Sequence, residues 1–238
     1  MCQLLGVSSN KDVNINLSLK EFKHRGKINP HGWGFAFLEN KNWRIIKKPF
    51  SLDDEFVGDP MFSFRSKTII GHVRLASCGE KIHKNTHPFN FDNWAFAHNG
   101  TLREFKNLIL GKYKPIGNTD SEHAFCYLLS EIYQSPANVV EIIKTESVKI
   151  KKQGNFNFLL SDGKFLYAHG DDSLYYVQRK APFGSVTLID DEYEVNLSEI
   201  KSQDECAVVV ATKPLTKEEG WIKFSGLKIF KDGVLCQV

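Results

Sequence analysis

The feature that most constrains the fold is the recurrence of short apolar segments rich in β-branched and aromatic residues. Most of these segments are bounded by Gly, Asn or Asp, as β-strands commonly are. The predicted strands are residues 2–7, 34–38, 43–47, 68–75, 94–97, 156–160, 165–169, 186–189, 206–211 and 227–230. A chain with this pattern is expected to be built mainly from β-sheet.

Helical patterns are fewer and lie together in the middle of the chain. Residues 101–104 (Thr-Leu-Arg-Glu) and 119–122 (Thr-Asp-Ser-Glu) match the capping-box signature, and each precedes apolar residues at helical spacing. Ser135-Pro136 predicts a further helix, with Pro at its first position, that runs to about residue 152. Because the helices are inserted in blocks between strands, the fold class is predicted to be α+β with largely antiparallel sheets.

The composition excludes several classes of protein. The 31 Lys and Arg residues exceed the 28 Asp and Glu residues by only three, which gives no argument for a nucleic-acid partner or an anionic membrane surface. The longest apolar runs, such as residues 206–211, are far shorter than the roughly 18–20 residues of a membrane helix. No signal peptide is recognisable, and the five scattered cysteines contain no CxxC pair, so a reducing cytoplasm is expected.

The N-terminus carries a candidate nucleophile, because Cys2 follows the initiator Met1. Removal of Met1 by an aminopeptidase would place a thiol and a free α-amine on one residue. The reference pKa of such an amine is about 7.7–8.0, so it is able to act as a base near neutral pH. Nucleophile and base would then form one unit without a catalytic histidine. By itself a cysteine at position 2 is more often incidental, and the rest of the chain must decide.

Further motifs follow Cys2 in a characteristic order. They are Arg74-Leu-Ala-Ser77, His87-Pro88, His98-Asn-Gly100 and Thr119-Asp120 at the start of a predicted helix. With the N-terminal cysteine, this series resembles the class II glutamine amidotransferases, which are N-terminal-nucleophile hydrolases. Gly32-Trp-Gly34 and residues 211–216 extend the resemblance to the subgroup whose whole chain is the amidotransferase domain.

The resemblance implies a fold, a domain organisation and an activity. It implies a four-layer α/β/β/α sandwich with two antiparallel sheets, formed by one domain over residues 1–238 from which Met1 is removed. It also implies hydrolysis of the γ-amide of glutamine, or of another γ-glutamyl compound, through a Cys2 thioester, with no cofactor. The ammonia or amine either passes to a separate partner protein or is released. A non-catalytic regulatory or scaffolding subunit that kept the fold stays open as the alternative.

Two charged residues suit the head group of glutamine. The guanidinium of Arg74 is able to form two parallel hydrogen bonds to the α-carboxylate, although a salt bridge at a strand end is the simpler interpretation. Asp120 suits the α-ammonium, and it is also expected to complement the dipole at the start of a helix. Within the surrounding motifs we favour substrate binding for both residues.

The remaining candidates concern the carbonyl oxygen and the edge of the site. The Asn99 side-chain amide and the Gly100 N–H group are expected to stabilise the oxyanion, whereas a plain Asn-Gly hairpin turn is the competing interpretation. Ser77 matches a family Thr or Ser position that contacts substrate. Cys78 stands where many family members have His. The spacing of Cys78, His83 and His87 offers three zinc ligands but no fourth, so no metal site is predicted.

Overall fold

The structure is a computed structural model that describes residues 1–237, without the side chain of residue 172. Its strands are β1 Gln3–Val13, β2 Trp33–Glu39, β3 Asn42–Lys48, β4 Ser66–Val73, β5 Phe89–Phe91, β6 Trp94–Asn99, β7 Asn157–Ser161, β8 Leu166–Lys180, β9 Ser185–Thr187, β10 Glu194–Asn196, β11 Cys206–Ala211, β12 Ile222–Lys231 and β13 Val234–Leu235. Its α-helices are α1 Asn16–Ile28, α2 Asp120–Gln134, α3 Val139–Lys151 and α4 Leu197–Ile200. Single 3-10 turns occur at Leu52–Asp54, Pro60–Phe62, His83–Asn85, Phe105–Asn107 and Pro136–Asn138.

Eleven of these strands form two antiparallel layers that share the long strand β8. The first layer has the order β3-β2-β4-β1-β11, and the second continues through β8, β7, β6 and β5, with β12 paired to β8 and β13 paired to β12. The far end of β8 pairs with β11, from Tyr175 to Lys180, whereas its beginning pairs with β7, from Leu166 to His169. The two predicted sheets are therefore joined by one strand that passes from one layer to the other.

The two layers pack face to face through small and branched side chains. Alternate residues of β1 point to opposite faces, so Leu4 joins the core between the layers while Leu5 faces the other way. Gly6 lies on the inner face with Leu4. A Cβ atom placed at Gly6 would lie 3.0 Å from a methyl group of Leu159 and 3.2 Å from one of Leu166, both in the second layer. The absence of a side chain at this position allows the layers to approach closely.

Helices cover the two outer faces. Leu19 and Phe22 of α1 belong to the same buried cluster as Phe35 of β2 in the first layer. Leu128 of α2 and Ile143 of α3 belong to the cluster that contains Phe96 of β6 in the second layer. The result is the predicted α+β fold, a four-layer α/β/β/α sandwich, and this prediction is confirmed.

All predicted elements but one match the structure, and the predictions do not include helices α1 and α4 or strands β5, β10 and β13. Each predicted strand overlaps an observed one, and the helices expected after residues 119 and 135 are α2 and α3. The helix expected after the motif at residues 101–104 is wrong, because Leu102 forms an isolated β-bridge and residues 103–104 form a turn that leads into the 3-10 turn Phe105–Asn107. Helix α1 was not predicted, because it begins without a side-chain cap and carries Gly26 near its end. Within residues 1–237, none of the helices has the length and apolar character needed to cross a bilayer.

Replacement of Gly6 by Val is expected to push the two layers apart. The added Cβ alone would lie 3.0–3.2 Å from methyl groups of the second layer, and valine adds two further methyl groups, so the free energy of unfolding should fall by about 1–3 kcal/mol. Urea unfolding of the purified variant measures this loss. Gly184→Val is the matched control, since no described atom lies within 4 Å of its added Cβ. Equal stability of the two variants would contradict the close approach.

Candidate active site

Backbone pairing of β1 with β4 places the Cys2 thiol at one end of the sandwich. Gln3 lies opposite Val73 in this antiparallel pair, so the residue before Gln3 meets the residues after Val73. The Leu75 N–H group donates a hydrogen bond to Cys2 Sγ at 3.2 Å, and Sγ lies 3.4 Å from the Leu75 carbonyl oxygen. Only 9% of Cys2 is exposed. The thiol is therefore held at the bottom of a site rather than on an open surface.

Arg74 follows directly after β4 and is almost completely buried. Its backbone is fixed on both sides, since its N–H donates to Gly32 O at 2.7 Å and its carbonyl accepts from His31 N–H at 3.0 Å. The guanidinium donates from Nη1 to Glu80 O at 3.0 Å and from Nη2 to Cys78 O at 2.8 Å. Nη2 makes a longer contact with the next carbonyl. A guanidinium carries five N–H donors, so Arg74 shapes the following loop and keeps donors for a ligand.

Asp120 is the first residue of α2, where Thr119 caps the helix by accepting a hydrogen bond from Glu122 N–H at 3.1 Å. The Asp120 carboxylate accepts from Leu102 N–H at 2.8 Å. This contact also explains the failed helix prediction, because an N–H group of residues 101–104 bonds to Asp120 instead of entering a helix. Asp120 is 3% exposed and faces an inner pocket. The described residues lining that pocket include Cys2, Arg74, Ser77, Gly100 and Asp120.

Asn99 and Gly100 lie at the end of β6, on the opposite layer from Cys2. The Asn99 side chain is buried, and neither its nitrogen nor its oxygen has a hydrogen-bond partner among residues 1–237. Its backbone carbonyl accepts from the Asn157 side-chain amide at 3.1 Å. A Cβ at Gly100 would lie 1.8 Å from Asn155 O, so only glycine fits there. The hairpin-turn interpretation is wrong, since β6 pairs with β5 and β7 and the chain after Gly100 leads towards α2.

An outer cleft of about 760 Å³ opens from Cys2 towards solvent. Ser77 stands at its edge, where its hydroxyl lies 2.8 Å from that of Thr101. Cys2, Ser77 and Gly100 line both the outer cleft and the inner pocket, whereas Arg74 and Asp120 line the inner pocket and Asn99 lines the outer cleft. The structure thus brings all six predicted site residues together around two connected spaces.

Burial governs the electrostatics of the thiol. It raises the pKa of Cys2 above the usual value, and the Leu75 N–H group, the N-terminal charge and Arg74 oppose this rise. A thiol with a raised pKa stays protonated at neutral pH and needs a base before it becomes a nucleophile. In the unprocessed chain the terminal amine belongs to Met1, which also lines the outer cleft.

Three buried histidines lie behind the site, and sequence reasoning assigned no role to them. The rings of His72 and His87 stack with centroids 4.1 Å apart. His98 is fixed by Ser121 Oγ at 2.8 Å and by the Asn155 carbonyl at 3.0 Å. Neither ring nitrogen of His87, which faces the inner pocket, has a partner in the described part of the chain. Burial lowers the pKa of His72 to about 3 and the pKa of His87 well below its usual value. Burial also lowers the pKa of His98.

Comparisons with known proteins identify the family of the chain. The family model for class II glutamine amidotransferases matches residues 1–238. "Uncharacterized protein MJ1515" of Methanocaldococcus jannaschii is 40% identical, over 98% of this chain and 70% of that protein. "Putative glutamine amidotransferase YafJ" of Escherichia coli is 36% identical, over 94% of both chains. A crystal structure titled as a predicted glutamine amidotransferase from Pseudomonas aeruginosa shares 27% identity and a TM-score of 0.75 over 100% of both chains.

The four-layer sandwich, with Cys2 beside the end of β4, is the fold of the N-terminal-nucleophile class of proteins. With the family match over its whole length, the chain belongs to the class II glutamine amidotransferases. The family predicted from the motifs is therefore confirmed.

The buried histidines should make the protein less stable in mild acid. Their folded-state pKa values lie below about 6.5, so the unfolded state binds more protons below that pH. His72, with a pKa of about 3, should lower the free energy of unfolding by about 1.4 kcal/mol between pH 7.5 and 5.5, and His87 and His98 should lower it further in the same direction. Urea titrations at the two pH values measure the loss. Imidazole NMR signals of all three that titrate above pH 6 would contradict the assignment.

Proposed function

We propose that this protein hydrolyses the γ-amide of glutamine or of another γ-glutamyl compound through a Cys2 thioester. The observation that carries the proposal is the position of Cys2 Sγ between two spaces. One is an inner pocket with a cation and an anion, and the other is a cleft with the unpartnered Asn99 amide. We further propose that residues 1–238 act as one domain, from which Met1 is removed, in the reducing cytoplasm, where its five free cysteines stay reduced.

The charges that line the inner pocket complement the head group of an amino acid, and its lining side chains would have to move apart on binding, because the pocket has a volume of only about 10 Å³. Arg74 would bind the α-carboxylate and Asp120 the α-ammonium, since the two lie on opposite elements around the same small space. Ser77, at the boundary with the outer cleft, would contact the substrate through its hydroxyl. With the head group held there, the side chain of glutamine would extend towards Cys2.

The thiol attack follows from this placement. The α-amine of Cys2, free after Met1 is removed, accepts the thiol proton, and Sγ forms a bond with the γ-carbonyl carbon. The carbonyl oxygen becomes an oxyanion, to which the Asn99 amide and Gly100 N–H donate hydrogen bonds. Cleavage of the carbon–nitrogen bond then releases ammonia or an amine, which takes the proton from the α-ammonium.

Hydrolysis of the thioester completes the reaction. The α-amine, neutral again, accepts a proton from water as the water oxygen attacks the thioester carbon. The second oxyanion uses the same two donors, and its collapse releases the γ-carboxylate and restores the thiol. The raised pKa of Cys2 makes a neighbouring base necessary, and the ring nitrogens of His98 are already bonded to Ser121 and Asn155. An ammonia-accepting partner protein is compatible with this scheme, as is direct release.

Cys2 should be the residue that forms the covalent intermediate, in protein that has lost Met1. Protein from the native host should have the intact mass of the chain without Met1. It should be labelled once by a glutamine analogue with a γ-chloroketone. Cys2→Ala should abolish labelling and Cys78→Ala, a cysteine in the same inner pocket, should retain it. Retention of Met1 in that host would favour the non-catalytic alternative, and labelling of Cys2→Ala would point to Cys78.

Asn99 should matter for rate and not for stability. Asn99→Ala removes an oxyanion donor and should lower kcat by about 10²–10³-fold. Its side chain makes no hydrogen bond with residues 1–237, so urea stability should change by less than about 1 kcal/mol. Asn157→Ala is the matched control, since the buried Asn157 amide donates to Asn99 O and accepts from Asp171 N–H. A loss of stability in Asn99→Ala as large as in this control would contradict the proposed role.

A further inference from the structure

We propose that the outer cleft binds the amine portion of a γ-glutamyl amide, and that this amine carries negative charge, as the carboxylate of an amino acid or peptide does. The substrate class is then an anionic γ-glutamyl amide rather than glutamine itself. This inference rests on the proposed function, because it concerns the leaving group of the same reaction.

The first argument is the size and direction of the outer cleft. Arg74 and Asp120 hold the head group in the inner pocket, so the γ-carbonyl lies at Cys2 and its amide nitrogen points into the cleft. On the same measure of volume, ammonia, which is about the size of a water molecule, needs about 10–15 Å³. The cleft offers about 760 Å³, which accommodates a leaving group of many heavy atoms.

The second argument is the charge of the cleft walls. The described charged side chains that line it belong to Arg103, Lys151, Lys152 and Asp171. Lys151 forms an ion pair with Asp171, so these two charges compensate one another. Arg103 and Lys152 have no ion-pair partner among the described residues. Two cations thus remain at the mouth of the cleft, and an anionic leaving group would complement them.

The fold fixes this pair of cations next to the site. Arg103 N–H donates to Gln153 O at 2.9 Å, and Leu102 forms a β-bridge with Gly154. The segment that follows Gly100 is therefore attached to the turn that ends α3, which carries Lys152. Because Leu102 N–H is also bonded to Asp120, the cations and the head-group pocket are parts of one connected arrangement.

The leaving amine should therefore decide the rate. We would compare glutamine, γ-glutamylglycine and γ-glutamylglycinamide, using the full chain with Met1 removed and measuring released glutamate. The last two substrates differ only in the terminal carboxylate and amide. The kcat/KM for γ-glutamylglycine should exceed that for the glycinamide by about tenfold at low salt, which corresponds to two partly exposed ion pairs. The ratio should fall as ionic strength rises.

Substitutions test whether the cleft cations produce this preference. Arg103→Gln and Lys152→Gln should each lower the ratio by about threefold, and the double variant should bring it close to one. Lys144→Gln is the matched control, because it removes an exposed charge from helix α3, which precedes Lys152, but does not line the cleft. This control should leave the ratio unchanged.

The outcomes separate this inference from the proposed function. Efficient glutamine hydrolysis without a preference for the anionic amide would overturn the inference and leave the thioester mechanism intact, with an ammonia acceptor as the better explanation of the cleft. A preference that persists in the double variant would also overturn it. Failure of every substrate to react or to label Cys2 in protein without Met1 would instead overturn the proposed function.

Discussion

The pairing of β1 with β4 is the interaction on which the site depends. It brings the N-terminal end of the chain to the end of the interior strand β4. There Leu75 N–H donates a hydrogen bond to the Cys2 sulfur, and Arg74 is the first residue after the strand. A chain terminus is normally the least ordered part of a domain. Here the eleven residues of β1 anchor it between β4 and β11, so the Cys2 thiol acquires a fixed environment.

The site keeps buried polar groups without protein partners, which is unfavourable for stability. The Asn99 amide and the His87 ring nitrogens have no hydrogen-bond partner within residues 1–237. Such groups are uncommon, because a buried donor or acceptor loses its water without compensation. Their concentration around Cys2 indicates a surface shaped for a ligand, since the bound molecule would supply the missing partners. The neighbouring cleft adds positive charge at Arg103 and Lys152, which form no ion pair with the described side chains.

Sequence reasoning succeeded where local pattern and final structure agree. The strand segments carry β-branched and aromatic residues whose burial the sandwich requires, and the Thr119 cap forms as its motif predicts. It failed where contacts between residues far apart in the sequence determined the local structure. The Thr101 motif is a sound local helix signal, but Leu102 N–H and Arg103 N–H bond to Asp120 and Gln153. Helix α1 lacks a cap signal, and it is stabilised by burying Leu19 and Phe22 against the first layer.

The order of the motifs along the chain was enough to predict the family, the fold class and the six candidate site residues. Each motif consists of particular residue types at particular positions, and the sequence shows these directly. The sequence could not determine that residues separated by up to 118 positions share one pocket, as Cys2 and Asp120 do. Nor could it show that Arg74 also holds the following loop or that a large cationic cleft adjoins the thiol. Those features come from strand register and from the packing of the α3 turn on the segment after Gly100, since contacts between distant residues are fixed only when the layers assemble.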